Sequence, residues 1–586
     1  MTVEKLISDH IDIWSSALQT RSAAGRGSNG KIDLYGIKKL RELILELAVR
    51  GKLVPQDPND EPASELLKRI AAEKAELVKQ GKIKKQKLLP EISEDEKPFE
   101  LPTGWEWTTL SEIATINPKI EVTDDEQDIS FVPMPCISTR FDGAHDQEIK
   151  SWGKVKKGYT HFADGDIAIA KITPCFENSK AVIFKGLKGG VGVGTTELHV
   201  ARPISSELNL QYILLNIKSP HYLSMGESMM TGSAGQKRVP RNFFENYPLP
   251  FPPIAEQIRI VETFSQLMTI CDQLEQQSLS SLDAHQQLVK TLLATLTDSQ
   301  NAEELAENWA RISQYFDTLF TNEASIDALK QTILQLAVMG KLVPQDPNDE
   351  PASELLKRIE QEKAQLVKEG KIKKQKPLPP VSDEEKPFEL PVGWGWVRLG
   401  DIGTISGGGT PSKNNEEYWL GDIPWLSPKD MKVDYISTAE FNISELAVAN
   451  SSVRIIPNNS ILFVVRGMIL AHTFPVAINK KEVTINQDMK SITSHLFNMD
   501  FLLNLMKGMS RNVLSLVDRS SHGTCKLVSE KLFNLQIPLP PLSEQSRINN
   551  RIEELVSLCD TLKSRLQSAQ QTQLHLADAL TDAALN

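Results

Sequence analysis

Features that would mark a membrane or secreted protein are missing from this sequence. No apolar run approaches the roughly 18 residues that a transmembrane helix needs, and the best candidate, residues 461–465, is followed by Arg466. The amino terminus, MTVEKLISDH, lacks the charged-then-apolar order of a secretory signal. The five cysteines are scattered and never in CxxC spacing, which argues against a disulfide framework and against a zinc site. We therefore expect a cytoplasmic location and no membrane partner.

The usual signatures of catalysis are missing as well. No HExxH motif occurs, the ten histidines are scattered, and no Ser/His/Asp set can be nominated from spacing. The sequence also lacks the Asn/Asp-Pro-Pro-aromatic tetrapeptide that an enzyme methylating the amino group of adenine would need. It therefore predicts a noncatalytic chain without catalytic residues, metal ligands or a cofactor of its own. If the chain takes part in catalysis, its partners perform the chemistry.

Positive charge is scarce for a chain that would bind nucleic acid. The formal net charge is −11. Two long segments described below, residues 108–250 and 397–538, carry net charges of only about −1 and about +1. Affinity for a phosphate backbone would therefore have to come from a few placed lysines and arginines, or from a partner that supplies the cationic surface.

What the sequence does contain is an internal repeat. Residues 47–107 recur as residues 336–396 without insertion, and about four positions in five are identical. A second pair follows, PPIAEQIRIV at residues 252–261 and PPLSEQSRIN at residues 540–549. Between the paired segments lie two inserts of similar length and almost no similarity. A repeated frame that holds two divergent inserts favours two different readers on one scaffold, which suits recognition of a bipartite ligand.

Apolar residues at helical spacing follow each insert. Ile258, Phe264 and Cys271 belong to one apolar seam, and Ile552 and Cys559 belong to its counterpart. Two such helices bury both seams if they pack against each other as an antiparallel coiled coil. The first helix is predicted over residues 254–297, which at 1.5 Å per residue is about 65 Å long and would act as a rigid spacer.

The inserts show the pattern of short strands. In the first insert residues 165–172 and 180–184 alternate or run apolar, and residues 460–467 and 474–479 do so in the second. Each insert is therefore predicted to be a compact α+β domain with a curved sheet. The predicted segments are an N-terminal helical region (1–107), the first insert domain (108–250), a central region with the long spacer helix and the helical repeat (251–396), the second insert domain (397–538) and a C-terminal spacer helix (539–586).

Together these motifs resemble the DNA-specificity subunits of type I restriction–modification systems, over essentially the full length. The frame KLVPQDPNDEPASELLKRI…ELPxGWxW looks most like the family B branch. The second insert opens with GGGTPSKNNEEYWLGDIPWLSPKDM, which resembles the start of many target-recognition domains of that family. AKITPCFENSKA and GTTELHVARP in the first insert are similar to another recurring type, and the PPxxEQ starts match the family's spacer helices.

The resemblance implies an α+β fold of two compact mixed-sheet target-recognition domains, joined by two long antiparallel coiled-coil helices with a pseudo-twofold internal repeat. It implies that each domain reads one half of a bipartite, asymmetric site on double-stranded DNA. Two modification subunits would dock on the frame and methylate adenine N6, and two restriction subunits could join them. S-adenosylmethionine, ATP and Mg²⁺ are accordingly expected on those partner subunits and not on this chain.

Polar loops supply the candidate DNA-binding residues, because amide and ammonium groups suit base edges and phosphates, and glycines let backbone approach DNA. Turn or fold chemistry is the alternative for each of them. The loop between two apolar strands of the first insert contributes Lys171, Thr173, Asn178 and Lys180. The glycine-containing loops near the ends of the inserts contribute Gly232, Ser233, Gln236, Lys237 and Arg238 in the first and Ser520, Ser521 and Lys526 in the second. Further candidates are Arg140, Lys429 and Arg466.

A second hypothesis comes from another class of protein. A noncatalytic coiled-coil assembly scaffold could bind two protein partners through its inserts, and the acidic net charge favours that possibility. The polar glycine loops before each spacer helix, and the family resemblance, favour a DNA reader instead.

Overall fold

The chain folds into two units, each of which contains one insert. The computed structural model describes residues 3–21, 31–84, 92–93, 95, 97–233, 235–370, 372, 377–519 and 524–585. The first unit comprises residues 1–19, 33–279 and 572–586, and the second comprises residues 20–32 and 280–571. Each unit therefore takes the opening of one spacer helix and the end of the other. The division into five segments made from the sequence stays a prediction.

Helices make up the frame and flank the sheets. In chain order they are α1 (Val3–Asp9), α2 (Ile11–Ser16), α3 (Tyr35–Val49), α4 (Ala63–Lys79), α5 (Leu110–Ile113), α6 (Trp152–Val155), α7 (Leu210–Ile217), α8 (Pro220–Ser228), α9 (Arg241–Asn246), α10 (Ile254–Asp298), α11 (Ala302–Gln314), α12 (Phe316–Leu319), α13 (Glu323–Val338), α14 (Ala352–Lys368), α15 (Glu445–Asn450), α16 (Met499–Gly508), α17 (Ser510–Ser515), α18 (Ser529–Phe533) and α19 (Leu542–Leu585). Among the described residues, no helix combines the length and apolarity needed to cross a membrane.

The strands are short, as the sequence predicts. They are β1 (Gln19–Arg21), β2 (Lys31–Asp33), β3 (Glu106–Thr108), β4 (Ala114–Ile116), β5 (Asp128–Val132), β6 (Glu148–Ser151), β7 (Thr160–Ala163), β8 (Ile167–Ala170), β9 (Ala181–Ile183), β10 (Val191–Gly194), β11 (Leu198–Pro203), β12 (Leu249–Phe251), β13 (Gly395–Arg398), β14 (Thr404–Gly407), β15 (Ile423–Leu426), β16 (Tyr435–Ile436), β17 (Phe441–Ile443), β18 (Ile461–Val464), β19 (Val476–Asn479), β20 (Thr484–Ile485), β21 (Met489–Thr493), β22 (Val517–Arg519), β23 (Cys525–Leu527) and β24 (Gln536–Leu539).

Both inserts are α+β domains with mixed sheets, which confirms the predicted fold class. The first insert holds a four-stranded sheet in the order β6-β5-β10-β7, in which β5 and β10 are parallel, and an antiparallel sheet in the order β4-β11-β8-β9. The second holds β14-β21-β18-β19-β16 and β17-β15-β20, each with one parallel pair. The apolar strands β8 and β18 are buried along their whole length. In β8, Ile167 and Ile169 pack in one cluster with residues of α7, whereas Ala168 and Ala170 pack in another with Val132 and Phe162 of the other sheet.

Each insert is closed at its base by its own first and last strands. Strand β3 pairs antiparallel with β12, so that Trp107 lies opposite Pro250. Strand β13 pairs with β24 in the same way, with Trp396 opposite Pro538. The chain therefore enters and leaves each insert at one place, although more than 130 residues separate the two strands in the sequence.

The short helix α3 lies alongside both long helices in the first unit. Its contacts with α19 run in sequence order: Tyr35 donates a hydrogen bond to Asp578 (2.6 Å), and Lys52, just beyond α3, donates one to the carbonyl of Leu585 (2.6 Å). Helix α3 is thus parallel to α19.

The contacts of α3 with α10 run in the opposite sense. Arg41 pairs with Asp272, whereas Asp60, further along the chain, pairs with Arg259 (2.6 Å). Since α3 is parallel to α19 and antiparallel to α10, the two long helices run antiparallel in this unit.

The second unit repeats this arrangement with α13 in place of α3. Lys330 pairs with Asp560, the counterparts of Arg41 and Asp272, and Asp327 pairs with Lys563 (2.9 Å), so α13 is antiparallel to α19. Lys341, just beyond α13, donates to the carbonyl of Thr297 near the end of α10 (2.9 Å). Asn322, just before α13, lies 3.5 Å from His285 in the middle of α10, so α13 runs parallel to α10. The long helices are therefore antiparallel here as well, as the sequence predicts.

One detail of the predicted seam is wrong. Ile258 is 47% exposed, and its neighbour Ile260 is fully buried instead. The seam is also not reserved for the other long helix: Phe264 packs edge-on against Phe141 of the insert, with ring centroids 5.4 Å apart. Helix α10 has 45 residues and contacts α3 and the insert as well as α19. The face that it buries is therefore wider than a coiled-coil seam and rotates along the helix, which the spacing of apolar residues alone does not predict.

A buried carboxylate ties frame to spacer in each unit. Glu256, in the first turn of α10, is 1% exposed and accepts hydrogen bonds from the indole of Trp105 (3.0 Å) and the amide of Gln56 (3.0 Å). In the second unit Glu544, also 1% exposed, accepts them from Trp394 (2.9 Å) and Gln345 (3.2 Å). Burial raises the pKa of both carboxyl groups.

Candidate nucleic-acid interface

Two segments that are far apart in the first insert run side by side. Directly after β8, Thr173 donates its backbone N–H to the carbonyl of Lys237 (3.0 Å), and Val239 donates to the carbonyl of Lys171 (2.8 Å). Ile172 lies opposite Arg238 as an antiparallel bridge. The N–H of Lys171 also donates to the carbonyl of Glu197, just before β11. Residues 171–173, 197 and 237–239 thus form one surface, here named the first strip.

The second insert builds the same backbone arrangement from different residues. Directly after β18, Gly467 donates to the carbonyl of Cys525 (3.0 Å), and Leu527 donates to the carbonyl of Val465 (2.8 Å). Arg466 lies opposite Lys526 as an antiparallel bridge. The N–H of Val465 donates to the carbonyl of Asp488, just before β21. Residues 465–467, 488 and 525–527 form the second strip, which brings together two of the predicted residues.

An ion pair dominates the side chains of the first strip. Arg238 donates to both carboxylate oxygens of Glu197, through Nε and Nη2, at 2.9 Å each, and its Nη1 donates to the carbonyl of Gln236 (3.2 Å). The guanidinium beside Glu197 holds the pKa of that carboxyl below its usual value, and Lys171 lowers the pKa further. The guanidinium is therefore oriented and still 44% exposed.

The second strip contains a looser version of this ion pair. Arg466 Nη1 lies 3.7 Å from Asp488 Oδ1, and the arginine side chain is 49% exposed. Asp488 also receives a hydrogen bond on its backbone carbonyl from the N–H of Arg466 (3.2 Å). The acid occupies the same backbone position as Glu197, whereas the arginine comes from a different segment of the strip.

The tip of the first hairpin is exposed and depends on a glycine. Thr231 and Arg238 exchange two backbone hydrogen bonds (3.1 and 2.8 Å), and Gly232, Ser233, Gln236 and Lys237 between them are exposed. Gly232 has a φ of +126°, and a Cβ there would lie 2.8 Å from the carbonyl oxygen of Gln236. Glycine is therefore required for the chain to close this tip.

The remaining residues of the 171–180 loop have mixed surroundings. Asn178 is exposed on the turn. Lys180 donates its ammonium group to the carbonyl of Met134 (2.9 Å), which ties it to the fold. The hydroxyl of Thr173 is buried and has no hydrogen-bond partner within the described ranges.

A buried lysine joins this loop to the loop that carries Arg140. Lys218 is 2% exposed, and its ammonium group donates to the carbonyls of Ser179 (2.7 Å) and Thr139 (3.1 Å). Burial lowers its pKa to about 7. Arg140 itself is 73% exposed and pairs with Asp142 (2.7 Å), so it lies in an exposed loop held next to the 171–180 loop.

The other candidates of the second insert are not brought to the strip in the same way. Lys429 is exposed on a turn held by Asp430, which accepts hydrogen bonds from Ser427. No hydrogen bond or ion pair found among the described residues links Lys429 to Arg466 or Lys526. Ser520 and Ser521 lie outside the described residues.

Sequence reasoning did not single out the two acids of the strips. Both lie directly before a strand and open the order acid–apolar–basic, Glu197-Leu-His and Asp488-Met-Lys. The basic residue two positions on faces an aromatic ring in each unit: His199 stacks on Phe244 (5.2 Å), and the ammonium group of Lys490 lies 5.9 Å from the ring centre of Phe533. The same order also occurs at Glu148-Ile-Lys and at Asp430-Met-Lys, so the triplet alone does not distinguish the two acids in the sequence.

Comparison with known proteins gives the same repeat. The family model described as the type I restriction modification DNA specificity domain matches residues 102–284 and again residues 391–571. The two matches together span more than half of the chain, and each covers one insert with its flanking frame.

Curated relatives match over the whole length. The chain is 71% identical over 601 aligned residues to the type I restriction enzyme EcoEI specificity subunit of Escherichia coli, covering 100% of both chains. It is 64% identical over 602 aligned residues to the EcoAI specificity subunit of Escherichia coli, again with 100% of both covered.

A solved structure is similar at lower identity. The crystal structure of the HsdS subunit from Thermoanaerobacter tengcongensis aligns with 84% of this chain and 98% of its own, at 17% identity and a TM-score of 0.42. At that TM-score the likeness carries no argument about this chain.

Proposed function

The chain belongs to the DNA-specificity subunits of type I restriction–modification systems, and we propose that each insert reads one half of a split site on double-stranded DNA through its strip. The chain itself is a noncatalytic subunit of a methyltransferase and restriction complex. The strips, the first hairpin tip and the adjoining loops are the proposed contact surface. Arg238, Lys237, Arg466 and Lys526 are its proposed cationic groups.

One observation carries the proposal: the two strips share a backbone and differ in side chains. Ile172 and Arg238 face each other in the first, where Arg466 and Lys526 face each other in the second. Base edges are distinguished by the donors and acceptors presented to them. Two strips that share a backbone arrangement and differ in their side chains suit the recognition of two different half-site sequences.

Clustered positive charge on the first strip allows a chain with a net charge of −11 to bind a phosphate backbone. Lys171, Lys237 and Arg238 are gathered on one strip although they come from two separate segments of the first insert. A few gathered cations provide phosphate affinity without a basic chain as a whole.

The closed base of each insert supports a modular reading. Since β3 pairs with β12 and β13 with β24, an exchanged insert joins the frame at the same two strands, and it has to preserve contacts such as that of Phe141 with Phe264.

The repeated frame suggests the partner stoichiometry. The pair of Arg69 on α4 with Glu61 just before it (2.8 Å) recurs as Arg358 on α14 with Glu350, and the buried Glu256 and Glu544 clusters recur as well. Two copies of one surface would bind two copies of one partner. We therefore propose two modification subunits per chain, which hold S-adenosylmethionine, and two restriction subunits, which use ATP and Mg²⁺.

The decisive experiment exchanges one insert. Residues 108–250 are replaced by the corresponding insert of a relative, the chain is co-expressed with its modification subunit, and methylated adenines are mapped across the host genome. One half of the methylated sequence should change and the other half should stay. A change in both halves would contradict two independent readers.

DNA binding separates this function from the protein-scaffold alternative. The complex with the modification subunit should shift a duplex that contains the mapped site, at stated salt, more strongly than a scrambled duplex. Equal weak binding to both duplexes would favour the scaffold.

A further inference from the structure

We propose that Glu197 and Asp488 are specificity-determining residues that keep the strip arginines available to bases and deny them to phosphates. This inference rests on the proposed DNA-reading function of the strips. Neither acid belongs to the residues that the sequence nominates for DNA contact. Each lies at the same backbone position, directly before β11 and β21, and each faces an exposed arginine.

Glu197 orients Arg238 before DNA arrives. The Nε and Nη2 groups of Arg238 donate hydrogen bonds to the carboxylate of Glu197, and its Nη1 group donates one to the carbonyl of Gln236. An arginine fixed before DNA arrives loses less conformational freedom when it binds a base edge. A flexible arginine at the same place would reach the nearest phosphate instead.

The second step is repulsion. The proposed contact surface of the first strip gathers Lys171, Lys237 and Arg238 around one carboxylate, whose pKa is held below its usual value by Arg238. A carboxylate that stays ionised repels phosphate oxygens. It therefore lowers phosphate affinity on every sequence alike, whereas the ratio of target to scrambled affinity depends on how Glu197 orients Arg238 toward a base edge.

The third step is recurrence without sequence similarity. In the first strip the arginine belongs to the segment 237–239, and in the second it belongs to the segment 465–467. The acid nevertheless keeps its position, directly before β11 in the first insert and directly before β21 in the second. A purely structural ion pair would have no reason to keep its acid and exchange the origin of its arginine in two inserts that otherwise differ.

The test uses the full chain in complex with its modification subunit and two probes. One is a duplex that contains the site mapped for the wild-type complex, and the other is a duplex of equal length with that site scrambled. Affinity is measured for both as a function of salt concentration, and the melting temperature of each variant is recorded.

For Glu197→Gln we expect affinity for the scrambled duplex to rise about threefold and the ratio of target to scrambled affinity to fall about tenfold. The salt dependence on the scrambled duplex should steepen by about one phosphate contact, because Arg238 becomes free to reach a phosphate. Glu197→Asp should restore part of the ratio. If Glu197 had only a structural role, its replacement would leave the salt dependence of binding unchanged.

Matched controls separate this effect from a general loss of negative charge. Asp125→Asn removes a carboxylate of the same insert that is paired with Lys156 (2.7 Å) and is 58% exposed, and it should leave ratio and salt dependence unchanged. Asp488→Asn should lower the ratio through the other half-site, and Asp434→Asn, paired with Lys507 (2.5 Å), is its control.

An unchanged ratio and salt dependence in both Glu197→Gln and Asp488→Asn would overturn the proposal. If Arg238→Ala lowers the ratio in the same experiment, the DNA-reading function stands and only the role of the acids is refuted. If Arg238→Ala and Lys526→Ala also leave the ratio unchanged, the proposed contact surface itself is refuted.

Discussion

The two units have the same frame and differ in the strips that the frame presents. In the first unit the arginine–acid pair is bidentate at 2.9 Å, and in the second the corresponding pair is 3.7 Å apart and involves an arginine from another segment. The buried Glu256 and Glu544 clusters, by contrast, match partner for partner. The backbone of a strip is thus set by the sheet and the hairpin, which leaves its side chains free to vary.

The sharpest test of frame equivalence is the buried carboxylate. Glu256→Ala leaves the Trp105 indole without its acceptor, and the Gln56 amide keeps only its backbone acceptors such as the carbonyl of Gly51; this should cost about 2–3 kcal/mol of unfolding free energy. Glu544→Ala should cost the same. Amide hydrogen exchange within each unit checks the two values, and a clear cost for one variant with none for the other would contradict an equivalent frame.

A contrast between the units is expected at two equivalent lysines within the inserts, Lys218 and Lys507. Burial lowers the pKa of Lys218 to about 7, so the unfolded chain holds that proton more tightly than the folded chain. The stability contribution of the neutral amine is full above the unfolded pKa of about 10.5, decreases as the pH falls from there, and is completely lost once the pH has fallen through about 7. From pH 9 to pH 7, wild type should lose about 2 kcal/mol relative to Lys218→Met.

The matched variant is Lys507→Met, because Lys507 occupies the corresponding place after an asparagine-capped helix start. Its ion pair with Asp434 is on the surface, so the change in unfolding free energy should stay below about 1 kcal/mol. Equal pH dependence of Lys218→Met and Lys507→Met in chemical denaturation would refute the assigned burial effect.

The strips should act on separate half-sites. Arg238→Ala should weaken binding to the mapped duplex about tenfold and relax discrimination in one half only. Lys526→Ala should relax the other half. Binding to duplexes substituted in one half at a time measures both effects, and relaxation of the same half by both variants would contradict the assignment.

The smallest effect is expected on the frame surface. Arg69→Ala removes exposed ion pairs with Glu61 and with Glu207 of the insert, and Arg358→Ala removes one with Glu350. Exposed pairs contribute little to stability. Melting temperature and affinity for the mapped duplex should therefore be unchanged within error in both. A large loss in either would mean that this surface is part of a tighter contact.

Much of the architecture is predictable because it is local or repeated. The strands at residues 165–172 and 460–467 follow from their apolar pattern, and the structure places β8 and β18 within them. The buried Cys271 and Cys559 follow from helical spacing. The exposure of Ile258 does not follow from helical spacing, because the face that a long helix buries depends on every neighbour along its length.

The candidate site was predictable only in part. The sequence points to Arg466 and Lys526 separately, 60 residues apart, but only the register between β18 and the last hairpin strand places them opposite each other. Lys180 looked equally available from the sequence, yet the fold directs its ammonium group to Met134. The register between two strands depends on hydrogen bonds between segments that are distant in the sequence. The pattern of side chains along each segment does not show which residue will lie opposite which.

The sequence by itself determined the duplicated frame, the strand and helix patterns and the family, because these are written as identity and periodicity along the chain. The tertiary structure alone decided that Glu197 meets Arg238 and that Asp488 meets Arg466. Those contacts join residues brought together only when the sheet and the hairpin close, and closure is a property of the packed insert as a whole.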